Sequence, residues 1–123
     1  MVIGIGIDNV DTGRIKESIE KYGDRFVKKI FTETEKEYCN RFKGTEHLHF
    51  AARFAAKEAF SKAVGTGFAQ GFKTNQVGVR NIKGGKPEIE LFGEMADKYG
   101  KYKSTVSLTH TDGLASAFVV LEE

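Results

Sequence analysis

The chain has 123 residues, of which 40% are hydrophobic and 29% charged, and its formal net charge is only +2. That length favours one domain spanning 1–123 around a modest core, and the composition excludes a disordered chain. No run is long and apolar enough to span a membrane, and the one cysteine, Cys39, excludes an internal disulfide and any cysteine-based metal cage. The opening MVIGIGID has no basic lead, so it is not read as a secretory signal, and a reducing, cytoplasmic setting is expected.

Residues 2–8 alternate as a strand, with Ile3, Ile5 and Ile7 on one face and Gly4, Gly6 and Asp8 on the other. The two glycines leave the Asp8 face bare, so another element or a ligand can approach it closely. Residues 14–31 carry helical period, with Ile15, Ile19, Tyr22, Phe26 and Ile30 as the apolar stripe. Thr32 with Glu35 forms a capping box that opens a short helix to about residue 42. The next helix is expected over 46–64. It is rich in alanine and is stopped by Gly65-Thr66-Gly67. Residues 68–76 read as a loop. Strands are expected at 77–82 and 88–91, joined by Lys83-Gly84-Gly85-Lys86-Pro87, and at 105–109 and 114–121, joined near Asp112-Gly113. A strand, then helices, then hairpins argues for an α+β fold with an antiparallel sheet.

On the long helix, Glu58 and Lys62 lie four apart on one face, below Ala51 and Phe54. A carboxylate beside an ammonium near a glycine-rich helix end suits a metal-phosphate site, with Asp8 as a second carboxylate, because Mg²⁺ takes one or two carboxylates plus water and phosphate oxygens. An ordinary salt bridge on a solvated helix is the competing reading. Gly65-Thr66-Gly67 follows a helix, so it is not a P-loop; it is either a helix stop or a weak phosphate cradle. His110 leaves a strand into a loop, where it is either structural or a phosphate donor. His47 and His49 fall on opposite faces and make poor joint metal ligands. Arg14, Lys21, Arg25 and Lys28 form a basic stripe about 120° from the apolar one at about 100° per residue. It is either a solvated face or a surface for an acidic partner helix.

Three blocks in the same order resemble the bacterial holo-acyl-carrier-protein synthases, the small homotrimeric class of phosphopantetheinyl transferases. They are Gly4-Ile5-Gly6-Ile7-Asp8 with Arg14-Ile15; the run from Ala52 to Ala63 with Gly65-Thr66-Gly67; and Gly85-Lys86-Pro87 with Val106 to Thr111 and the closing Val119 to Glu122. The resemblance implies a 4'-phosphopantetheinyl transferase-like fold, with a long central helix packed on an antiparallel sheet, assembled as a homotrimer with shared sites. It implies that Asp8 and Glu58 hold Mg²⁺ and that Lys62 binds the pyrophosphate of coenzyme A, near Gly65. His110, Thr111 and Arg53 would hold the 3′-phosphate and adenine end, and Gly85, Lys86 and Pro87 would wall the adenine. Arg14, Lys21 and Arg25 would dock an acidic helix of acyl carrier protein.

The expected reaction is attack by a carrier serine on the β-phosphorus of coenzyme A, releasing 3′,5′-ADP, in support of fatty acid biosynthesis. Asp8, Glu58 and Lys62 are the catalytic set, and Glu58, directly or through a water it orients, is the candidate base. The rivals are a non-enzymatic, basic-striped module for an acidic protein and a different Mg²⁺-dependent nucleotide enzyme. Nucleic acid is not an expected partner, because no aromatics alternate with the basic stripe and net charge is low. A membrane is not expected either.

Overall fold

The computed structural model describes all 123 residues. The chain opens on strand β1 (Val2–Asp11) and passes through helices α1 (Thr12–Tyr22), α2 (Asp24–Ile30) and α3 (Glu33–Cys39) into the long helix α4 (Glu46–Val64). A single 3₁₀ turn, Thr74–Gln76, leads to the hairpin β2 (Val77–Asn81) and β3 (Pro87–Leu91). Helix α5 (Gly93–Tyr99) and strands β4 (Lys103–His110) and β5 (Leu114–Glu122) complete the chain. β1, β5 and β4 form an antiparallel sheet in that order, while β2 and β3 pair only with each other. The first strand therefore closes on the last, and the α+β expectation holds.

α4 packs on this sheet with its backbone almost in contact with β1. The alanines at 55, 59 and 63 are buried, so the helix presents no bulk. β1 answers with glycines. A Cβ added at Gly4 would overlap the carbonyl oxygen of Ala63, and one at Gly6 that of Ala59. Strand alternation then turns Asp8 toward the same helix. The Asp8 face is thus covered by an element. Asp8 itself sits within the strand, paired with Ala117, and not at the strand end expected from 2–8.

The helix expected over 14–31 is two helices. Gly23 adopts φ 58° between them, and its amide closes α1 on the Ile19 carbonyl at 2.8 Å. The break changes the phase of the stripe: Ile15 remains buried, Tyr22 is exposed, and Val27 and Phe31 enter the core. Arg14 and Lys21 accordingly lie on α1 while Arg25 and Lys28 lie on α2. All four are exposed, but they do not follow one helical face. α3 ends at Cys39, short of 42. α5 has no counterpart in the sequence reading; its one fully buried side chain is Met95.

The capping box forms as expected, with the Glu35 amide 3.2 Å from Thr32 Oγ1 and the Thr32 amide 3.0 Å from Glu35 Oε1. Glu35 does more than cap. Its Oε1 accepts from Lys57 Nζ at 2.6 Å, and its Oε2 accepts from the Val79 amide at 2.9 Å. Lys57 also donates to the carbonyls of Thr74 (3.0 Å) and Val77 (2.6 Å). Both side chains are wholly buried, and burial pushes the Lys57 ammonium below its ordinary value. Every donor of Lys57 is filled, as a buried cation requires. One ion pair thus ties α3, α4 and β2 together.

Candidate active site

Where β1 meets α4, Asp8, Glu58 and Lys62 converge. Lys62 Nζ lies 2.9 Å from Asp8 Oδ1 and 3.3 Å from the Ile7 carbonyl oxygen. The expected helical pair is therefore resolved differently: Lys62 bonds the strand aspartate, not Glu58 one turn away. The Asp8 side chain is 11% exposed and the Lys62 side chain 51%, so the lysine can turn outward. Hydrogen bonding to Asp8, then its charge, raises the Lys62 ammonium above its ordinary value. It stays fully charged at neutral pH.

Glu58 is half-buried beside Asp8. Burial first, then the Asp8 charge, raise its carboxyl to about 7, against smaller lowering by Lys62 and Arg14. Asp8 Oδ2 is buried and has no partner. Two adjacent carboxylates with one orphaned oxygen have unspent capacity for a hard cation. This all-oxygen donor set fits Mg²⁺, which needs only one or two carboxylates from the protein. A cavity of about 420 Å³ opens here, lined by Glu58, Asn9, Arg14, Phe26, Phe54 and Phe68 among others. Arg14 thus reaches the edge of this site. Gly65 caps α4 in the left-handed conformation, φ 94°, three residues beyond Lys62.

The remaining expected residues gather elsewhere. Arg53 is 4% exposed, its guanidinium 4.4 Å from the centre of the Tyr38 ring and 2.7 Å from Asn81 Oδ1. Asn81 Nδ2 donates to the Gly85 carbonyl at 3.0 Å, which joins Arg53 to the turn holding Gly85, Lys86 and Pro87. His110 ends β4, exposed, with Thr111 after it closing the β4–β5 turn on Leu114. The His110 ring meets His49 edge-on at 5.2 Å, and His49 stacks on Phe42 at 3.7 Å. Burial, then Arg53, His110 and His47, push His49 down to about 4, so it is neutral at physiological pH. No side-chain hydrogen bond joins this group to the carboxylates. The sequence reading missed Asn81, the pairing of Glu35 with Lys57, and the packing of His49 against His110, each defined by partners distant in the chain.

A family model described as the 4'-phosphopantetheinyl transferase superfamily matches residues 4–118. The chain is 43% identical over 125 residues to the holo-[acyl-carrier-protein] synthase of Solibacter usitatus, covering 99% of both chains. The chain belongs to the holo-[acyl-carrier-protein] synthase family of this superfamily. Another member, from Chelativorans sp., is 40% identical and covers 99% of this chain, which covers 96% of it. Among solved members, the Bacillus anthracis synthase in complex with CoA (3′,5′-ADP) superposes with a TM-score of 0.83 at 37% identity, over 100% of this chain and 98% of that one. The Helicobacter pylori synthase in complex with coenzyme A gives 0.84 at 28% identity, over 96% and 99%. Shared fold and end-to-end coverage bear out the resemblance drawn from the three sequence blocks. The reading as a non-enzymatic module finds no support among these family members.

Proposed function

We propose that the chain transfers the 4'-phosphopantetheine arm of coenzyme A to a serine of apo-acyl carrier protein, giving the holo-carrier and 3′,5′-ADP. The observation that carries this reading is the Asp8–Glu58 carboxylate pair, with its unpartnered oxygen and the Lys62 ammonium at 2.9 Å, in a fold shared with a coenzyme A complex. Asp8 and Glu58 would hold Mg²⁺, which supplies neutralisation of charge on the phosphoryl oxygens. Lys62 turns from Asp8 toward the pyrophosphate, a move its half-exposed stem permits. The serine Oγ forms a bond to the β-phosphorus while the bond to the bridging oxygen breaks, and 3′,5′-ADP leaves. Glu58, directly or through a water it orients, would take the serine proton. Lysine charge beside the reacting phosphate stabilises the transition state more than the ground state.

The same reading includes a homotrimer. Ile3, Ile5 and Ile7 face outward at 42%, 60% and 62% exposure, beside Phe118 on β5. A contiguous apolar sheet face of this kind marks an interface. Arg53 and His110 also stand apart from the carboxylates within one chain, which a site shared between subunits would reconcile. Arg14, Lys21 and Arg25 are the proposed docking residues for an acidic helix of the carrier, now presented from two helices. No helix is long and apolar enough to cross a membrane, and a cytoplasmic setting goes with the proposal. Incubation with coenzyme A, Mg²⁺ and an apo-carrier should raise the carrier mass by one phosphopantetheine arm. An unchanged mass overturns the proposal.

A further inference from the structure

Arg53 was expected to touch the nucleotide, but its strongest observed contact is with Asn81. This asparagine ends β2, opposite Pro87. Its two polar atoms face opposite ways: Oδ1 accepts from Arg53 Nη2 at 2.7 Å, and Nδ2 donates to the Gly85 carbonyl at 3.0 Å. Only a side chain that accepts and donates at once can satisfy both neighbours. An aspartate would meet the Gly85 carbonyl with a second acceptor. A leucine would make neither bond.

Both ends of this relay need fixing, and only one is rigid. Arg53 is held on α4, the longest helix, with its planar guanidinium over Tyr38 at 4.4 Å. A stacked guanidinium is pre-organised for directional bonding. The turn from Ile82 to Lys86 is soft. Gly84 and Gly85 have φ of 90° and 86°, and a Cβ on either would meet nothing within 4 Å. Two backbone bonds, from the Ile82 amide to the Lys86 carbonyl (2.9 Å) and from the Gly85 amide to the Ile82 carbonyl (2.8 Å), close the turn on itself. Among side chains, Asn81 supplies the bond that anchors it to the helix.

We infer that Asn81 is a positioning residue for the nucleotide end of coenzyme A, transmitting the position of Arg53 to the Gly85–Pro87 turn that walls the adenine. This inference rests on the proposed phosphopantetheinyl transfer. Asn81 does not touch the reacting phosphorus, so its loss should weaken nucleotide binding and leave the chemical step and the carrier site alone.

The test compares wild type with Asn81→Asp, a near-isosteric change, and with Asn81→Leu. Expected for both is a rise of about tenfold in KM for coenzyme A and in the Kd of 3′,5′-ADP by calorimetry, corresponding to about 1.4 kcal/mol. kcat should stay within about twofold, and KM for the carrier should be unchanged. Adding Arg53→Met to Asn81→Leu should give less than the product of the two single effects, because both break one relay. A wild-type Kd for 3′,5′-ADP in a folded Asn81→Asp variant overturns the inference while transfer by the wild type stands. Loss of kcat without change in KM also overturns it. If the wild type neither transfers the arm nor binds 3′,5′-ADP, the functional reading falls and this inference with it.

Discussion

Two carboxylates, Asp8 and Glu58, stand side by side at the β1–α4 junction, and the lysine within reach is bonded to only one of them. The cost falls on Glu58, whose carboxyl rises from its ordinary 4.5 to about 7. Between those values the unfolded chain has released this proton while the folded chain still holds it. Stability therefore falls as pH rises through the window. Thermal unfolding without divalent metal should show a steeper loss from pH 5 to 7.5 in wild type than in Glu58→Gln. Mg²⁺ should stabilise the wild type most above about pH 7, where Glu58 is ionised, because binding to the folded state alone raises the melting temperature. Equal pH slopes in the two proteins would remove Glu58 as the strained group. Asp8, Glu58 and Lys62 were legible as a set because strand alternation and helical spacing place each one locally. Their pairing was not, because Lys62 chooses between two carboxylates by tertiary geometry. Asn81 was illegible for a stronger reason: its partner Arg53 lies 28 positions away.

Among the elements, α4 was read with its observed bounds, since an alanine run ending in glycine leaves little ambiguity. α1 and α2 were merged because the residues flanking Gly23 keep helical period, and one glycine inside such a pattern does not by itself announce a break. α5 was missed because seven residues with one buried side chain carry almost no periodic signal. The elements are locked by a pair that no local pattern reveals. Glu35 reads as a capping residue, and Lys57 as part of a helix, yet they form a fully buried ion pair at 2.6 Å. Lys57→Ala should cost about 3–5 kcal/mol, because it leaves the Glu35 carboxylate buried beside an empty space. Denaturant unfolding measures this directly. A loss below about 1 kcal/mol would mean that the pair is dispensable to the packing of α3 and β2 on α4.

At the scale of the molecule, the three-stranded sheet has one face covered by α4 and another that leaves isoleucines in water. Burying such a side chain is worth about 1.5–3 kcal/mol, so the proposed association over this face would gain from it, and its disruption should be visible. Sedimentation equilibrium at micromolar concentration is expected to give three times 13.6 kDa for the wild type, and a smaller species for Ile5→Lys with Ile7→Lys. A wild-type monomer with full activity would contradict a site shared between subunits. The alternation that placed Gly4, Gly6 and Asp8 on one face was legible in the sequence. The proposed cover of the opposite face was not, because no local pattern within one chain specifies a partner.

The measurement that bears most directly on the central claim is the release of 3′,5′-ADP in step with formation of holo-carrier, for wild type and Asp8→Asn side by side. With coenzyme A, apo-carrier and Mg²⁺, the wild type should release one 3′,5′-ADP per carrier modified, and a chelator should stop it. Asp8→Asn, which keeps the shape but loses the charge that would help hold the metal, should fold and remain at background. No release by the wild type, or equal release by Asp8→Asn, would contradict a metal-assisted transfer centred on this carboxylate pair.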